Sequence, residues 1–287
     1  MRPPLASNPA FVALALTVST AAAAAAYSYA GAAASAEVAE SAAPTQPTQF
    51  GPRSQRASSA RPGERPSHNF YFTRAVYTSW GGGFGWGRWA TDFPQADRWI
   101  VNVLGRLTGV DVSPLENPVR LDDPDLRRYP FLYALEVGDM ALRDREIEGL
   151  RNYLLAGGFL VIDDFWGAYE WDNFEREFRK VLPEYEIVDL PLDHPIFSTF
   201  YQIEQIIQVP NVGQGIRGGP THERGETGRI PRVRGIFDED GRLMVIINWN
   251  TDLGDAWEWA EDPQYPLQYS TFAYQMAANF IVYAMTR

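Results

Sequence analysis

The chain has 287 residues, with 25 Lys and Arg against 36 Asp and Glu, a formal net charge of −11, and no cysteine. That acidity excludes the basic face a nucleic-acid partner needs and disfavours anionic membrane surfaces. The missing cysteine excludes disulfides, thiolate metal sites and a cysteine nucleophile.

Arg2, an apolar run from Phe11 to Ala26, and Ala34-Ser35-Ala36 before Glu37 follow the order of a secretory signal peptide. Residues 1–36 are therefore expected to direct export to the periplasm or the cell exterior. The run is alanine-rich and broken by Thr17, Ser19 and Thr20, which makes it a weak span of about 20 residues. Uncleaved, it would be an N-terminal anchor, and it is the only membrane contact expected. Residues 37–67 are rich in Ala, Ser, Pro, Gln and Arg and bury too little apolar surface to fold, so they read as a disordered linker. Residues 68–287 are long enough for one α/β domain with one core.

Within that domain, Asn69 to Tyr77 is aromatic and β-branched and predicts a strand. A glycine-rich loop with Trp80, Trp86 and Trp89 follows. Asp92 then reads as the N-cap of a helix carrying Ala96, Ile100, Val103, Leu104 and Leu107 and closed by Gly109. A short strand is expected at Val110–Val112 or at Val119–Leu121. Phe131 to Val137 is a continuous apolar run, the mark of a strand buried on both faces. A helix over about 143–156 and a strand from Phe159 to Ile162 come next, the strand stopping at Asp163-Asp164. A helix over about 171–182 and a strand over Glu186–Leu190 follow. Residues 211–229 read as a long glycine-rich loop. Arg232–Phe237 and Leu243–Asn248 form a hairpin turning at Asp240-Gly241. Asn248 to Asp255 reads as a polar loop, and Ser270–Met285 as a final amphipathic helix. The alternation predicts a three-layer sandwich with a mostly parallel central sheet, plus a C-terminal β-hairpin and helix.

In such sheets, ligands bind beyond the carboxyl ends of the strands. Asp163 and Asp164 are the sharpest candidates, holding a hard cation, acting as acid and base, or serving as capping and solvated carboxylates. His194, beside Asp193, could be an imidazole oriented for catalysis or part of a turn. The oxygen-rich segment with Asn248, Asp252 and Gly254 could hold a polar ligand, although its spacing is not that of an EF-hand. The three histidines show no metal-binding spacing, so neither a metal nor a cofactor is expected. Gly213, Gly215 and Gly218 lack the strand-to-helix setting of a dinucleotide loop. Gly85, Gly87 and Ala90, with Asp111 at a plausible ribose distance, have it but are crowded by Trp86, Arg88 and Trp89.

The segments FYFTRAVYTSWGGGFGWGRWATDFPQAD, LEVGDMALRDREIEGLRNYLLAGGFLVIDDFWG, LPLDHPIFSTFY and DEDGRLMVIINWNTDLGDAWEW, in this order, resemble the bacterial family called domain of unknown function 4159. The resemblance runs from Asn69 to Arg287. It implies a flavodoxin-like fold similar to class I glutamine amidotransferases and ThuA-like proteins. It also marks Arg74, Asp92, Gly138, Asp163, Asp164, Asp193, His194, Asn248, Asp252 and Gly254 as shared motif positions. Amidotransferase chemistry does not carry over, because the nucleophile is a cysteine. The expected function is a non-catalytic binding domain of the cell envelope, with Arg74, Trp86, Asp92, Gly138, Asn248, Asp252 and Gly254 as ligand-binding candidates. Two alternatives stand beside it. One is a hydrolase-like or metal-dependent enzyme acting on a polar or carbohydrate-derived substrate through Asp163, Asp164 and His194. The other is a structural partner in an envelope complex. The partner is thus a small polar ligand or an envelope protein.

Overall fold

The computed structural model describes residues 68–80 and 87–286. The signal peptide over 1–36, the linker over 37–67 and Trp86 lie outside the described residues.

Seven strands form one sheet: β1 (Thr73–Val76), β2 (Asn117–Arg120), β3 (Phe131–Leu135), β4 (Phe159–Asp163), β5 (Ile187–Asp189), β6 (Arg232–Phe237) and β7 (Leu243–Trp249). Their order is β2-β1-β3-β4-β7-β6-β5. Only β6 runs against its neighbours, so the sheet is mixed but mostly parallel. The α-helices are α1 (Gln95–Thr108), α2 (Asp144–Leu155), α3 (Gly167–Val181), α4 (Val212–Arg217), α5 (Leu253–Glu258) and α6 (Leu267–Thr286). No helix among the described residues is long and apolar enough to cross a membrane.

Strand alternation sorts the core into two layers. Phe72, Phe131, Tyr133, Phe159, Val161 and Ile246 face one side and pack with Ile100 and Leu104 of α1, Trp257 of α5 and Met276 and Phe280 of α6. Leu132, Ala134, Leu160, Ile162, Val245 and Ile247 face the other, with Leu150 and Leu154 of α2 and Phe174 and Phe178 of α3. The central strands β3 and β4 are buried throughout, which is why they read as unbroken apolar runs.

Several elements differ from expectation. The strand after α1 is β2, while Val112 makes only an isolated bridge to Phe70. Asp92 does not cap α1, which starts at Gln95 after Pro94; Asp92 sits in the left-handed region at φ 60° and turns its side chain elsewhere. The 211–229 segment contains α4, capped by Asn211 through the Gln214 amide and ended by left-handed Gly218. Gly215 within it leaves room for the Tyr265 ring, which a Cβ would meet at 2.7 Å. The polar stretch after β7 becomes α5, with Asp252 as N-cap. Asp111 accepts from the Asn69 amide and meets His68, an anchoring role for the chain's entry and not a ribose contact.

Gly149 is required by close approach. A Cβ there would overlap the Leu121 carbonyl oxygen behind β2. Backbone cannot yield as a side chain does, so Gly149→Ala should destabilise at the upper end of the about 1–3 kcal/mol usual for overpacking. Urea denaturation of the variant checks this, and an unchanged midpoint would contradict it.

Candidate functional site

The site begins with Arg74 in β1. Its guanidinium is buried and grips Asp97 of α1 with Nε and Nη2, while Nη1 donates to the carbonyls of Trp89 (3.2 Å) and Thr91 (2.9 Å). These hydrogen bonds hold the β1–α1 connection in place, and the guanidinium also lies over the Tyr133 ring of β3. The residue therefore positions the loop that carries Asp92, and its partner Asp97 had no sequence signal.

Three neighbouring parallel strands end alike. Immediately after β3, β4 and β7 stand Glu136 (φ 54°), Asp164 (φ 47°) and Asn250 (φ 63°), all non-glycine residues in the left-handed region. Such conformations cost on the order of 1–3 kcal/mol each and persist only where the surroundings enforce them. Here the enforcement is visible. The Glu136 amide donates to the Asp164 carbonyl and the Asn250 amide to the Phe165 carbonyl, which ties the three turns together. The Asn250 side chain accepts from the Gly167 amide at 2.8 Å and donates to the carbonyls of Thr227 and Ile230. Asp164 accepts from the Trp166 indole at 3.0 Å. Glu136 pairs with Arg88, which also holds Asp139 at 2.7 Å. Glu170 of α3 accepts from the Trp166 amide and from Arg224, fastening the 220s segment over the helix start.

Asp163, the last residue of β4, is fully buried under the start of α5. Its Oδ2 accepts from the Tyr133 hydroxyl (2.9 Å) and from the amides of Leu253 (2.9 Å) and Gly254 (3.1 Å). This is a carboxylate seated on the first amides of a helix, a favourable position for negative charge. Burial still dominates and pushes its carboxyl up to about 7. Burial does the same to Glu136, also to about 7 against the opposing pull of Arg88. Asp92 and Asp252 are held well above the usual carboxylate range, first by burial and then by neighbouring carboxylates. Neither Asp163 nor Asp164 caps α3, whose first amide is taken by Asn250 instead; the two point to different surroundings, as alternation requires.

The other anticipated residues divide. Asp92 and Asp252 come together with Asp255, each offering an oxygen within 4.8 Å of the others. Gly254 lies against them, since a Cβ there would stand 2.5 Å from Asp92 Oδ2. Asn248 is buried in the same layer and donates to the Ile162 carbonyl. Gly138 is structural, because a Cβ would meet the Glu170 side chain at 2.5 Å. Trp89 is buried against Phe93, whereas Trp80 is exposed. His194 does not join Asp163. Its ring accepts from the Ile196 amide and packs on Phe237, which pairs with Leu243 at the amino end of β7, the opposite end of the sheet.

With this geometry in place, the family comparison is decisive: residues 74–285 match the model described as domain of unknown function (DUF4159). The chain belongs to the DUF4159 family. No curated protein matches the sequence. The matched span of this DUF4159 domain contains Arg74, all three left-handed strand ends and the Asp92–Asp252–Asp255 group. Sequence reasoning missed Glu170 and Arg224, and took in Glu136, Asn250 and Asp255 only as members of strand-end loops. Of these, Asn250 carried a faint signal, since Asn is enriched in left-handed turns.

Proposed function

We propose that the chain is an exported binding module of the cell envelope whose ligand is a small polar molecule bearing positive charge, held at the carboxyl ends of β3, β4 and β7. One observation carries this reading: three adjacent strands each end in an enforced left-handed residue, and carboxyl groups crowd those ends beyond what Arg88 and Arg224 offset. Strain of this kind concentrates where a ligand must be met by fixed groups. Export rests on residues 1–36, and the binding role on the absence of a cysteine nucleophile. We read the fold as flavodoxin-like and similar to class I glutamine amidotransferases, a reading supported by the β2-β1-β3-β4-β7 arrangement, which is a 2-1-3-4-5 order.

A second reading, a hydrolase-like enzyme, is favoured by the two carboxyls pushed to about 7, a range suited to general acid–base work. His194 has no place in it.

The test is a thermal-shift and tryptophan-fluorescence screen of the full chain against amines, amino sugars, neutral sugars and peptidoglycan fragments. An ammonium-bearing ligand should stabilise the protein and bind at least about tenfold more weakly to Glu136→Gln, the loss of roughly one charged contact. Binding confined to anionic compounds, or indifferent to that substitution, would defeat the reading. Turnover of a peptidoglycan fragment that is lost in Asp163→Asn would promote the enzyme instead.

A further inference from the structure

Asp92 reaches the site from the β1–α1 loop, and Asp252 and Asp255 from the start of α5. Their oxygens lie within 4.8 Å of one another, a spread that one hard cation spans with ligand distances of about 2.0–2.6 Å. Asp252 Oδ1 already accepts from the Asp255 amide at 2.8 Å, and Asp255 Oδ2 from the Val212 amide at 2.6 Å. Two of the three carboxylates are therefore fixed before any ligand arrives.

Unpaired acceptors stand beside these carboxylates. Asn248 is buried, and its Nδ2 donates to the Ile162 carbonyl at 2.9 Å, which settles which end of the amide is which. Its Oδ1 is then buried without a donor among the described residues. Oδ1 of the fully buried Asp163 is in the same position, and so is Asp92 Oδ2. Ile162 pairs with Ile247, so Asp163 and Asn248 follow side by side on adjacent strands. Both project to the face covered by α5, because Val161 and Ile246, two residues earlier, do so. Buried polar groups are nearly always paired, and here three buried oxygens at one sheet end have no hydrogen-bond partner among the described residues. Gly254 leaves open the volume next to Asp92 that a Cβ would fill.

We propose that Asp92, Asp252 and Asp255 bind one hard divalent cation, whose retained water molecules donate to Asp163 Oδ1 and Asn248 Oδ1. The cation supplies the positive charge that the carboxylates lack, and its waters supply the missing donors. The inference rests on the reading that the strand ends form the ligand site, and it names a metal ion as one cationic occupant.

The experiment is calorimetric titration and thermal melting of the full chain, stripped with EDTA and dialysed, against CaCl2, MgCl2 and MnCl2 separately at pH 7.5. At least one ion should bind and raise Tm by roughly 5–10 °C at a hundredfold excess over its Kd. Asp255→Asn keeps an oxygen for the Val212 amide but loses the charge. It should bind at least about tenfold more weakly and, in EDTA, melt no lower than the wild type. Gly254→Ala, which leaves every carboxylate in place, should weaken binding as well. Absence of heat and of a melting shift with all three ions overturns the proposal, as does binding that both variants leave unchanged. If the metals fail while an ammonium ligand from the screen still depends on Glu136, the cation site falls and the strand-end reading stands. If the metals bind through Asp255 and no organic ligand binds, the small-molecule reading falls alone.

Discussion

Freed of divalent cations, the protein should lose stability as pH rises from 5 to 8, by about 2–3 kcal/mol from Asp163 alone. Its carboxyl ordinarily titrates at 3.8 and is pushed to about 7 by burial. Between those values the folded state holds a proton that the unfolded state has released. A state that binds more protons is favoured by acid, so the folded state weakens as pH climbs through this window and the loss levels off above about 7. Glu136 acts with the same sign, but Arg88 and partial solvent access reduce its share. Asp92, Asp164 and Asp252 are raised too and add to the trend. In EDTA, Tm at pH 8 should lie roughly 10 °C below that at pH 5.5. Asp163→Asn, whose amide oxygen can still accept from Tyr133, Leu253 and Gly254, should flatten the slope. A Tm that holds level or rises with pH would show that these carboxyls ionise freely in the folded protein.

The second large effect is expected at Arg74. Replacing it with methionine keeps the volume but leaves Asp97 buried without its cation, a loss of about 3–5 kcal/mol. Stabilities of domains are only about 5–15 kcal/mol, so the variant should sit near the edge of folding. The Trp89 and Thr91 carbonyls lose their donor as well, which frees the segment leading to Asp92. Arg74→Lys should rescue little, since one ammonium cannot reproduce the fork. The double variant Arg74→Met, Asp97→Leu should recover much of the loss, because both charges leave together. Urea denaturation at pH 6 measures all three, and a mild effect of Arg74→Met would mean that the pair is not closed to water.

The strands and most helices were legible because burial writes itself into local pattern. Phe131–Leu135 and Phe159–Asp163 are apolar on both faces since the sheet is covered on both. The site was only half legible. Asp163, Asp164 and Asp252 stood out as polar residues at the ends of apolar runs. Their meeting with Asp92 depends on β7 lying beside β4, a pairing across some eighty residues that no local pattern specifies. His194 shows the converse: an Asp-His-Pro turn looks chemical in one dimension, but the chain after β5 folds back and seats the ring on Phe237, at the end of the sheet opposite Asp163. The carboxylate group joins positions 92 and 252–255, a meeting that histidine spacing or any other local pattern does not reveal. Glu136 and Arg224, held left-handed by their neighbours, carry no residue-type signal at all.

The two borders of the sheet bear on behaviour at high concentration. On one side β2 has four residues, one of them Pro118, which removes an amide that a passing chain could use. On the other β5 has only three, with Asp189 clasped by Arg232 and Arg234 and Pro191 close behind. Short, charged, proline-marked margins are poor templates for adding a further strand. Growth of this sheet into fibres or swapped dimers is therefore disfavoured at both rims, and concentrated solutions should leave its strand pairing intact.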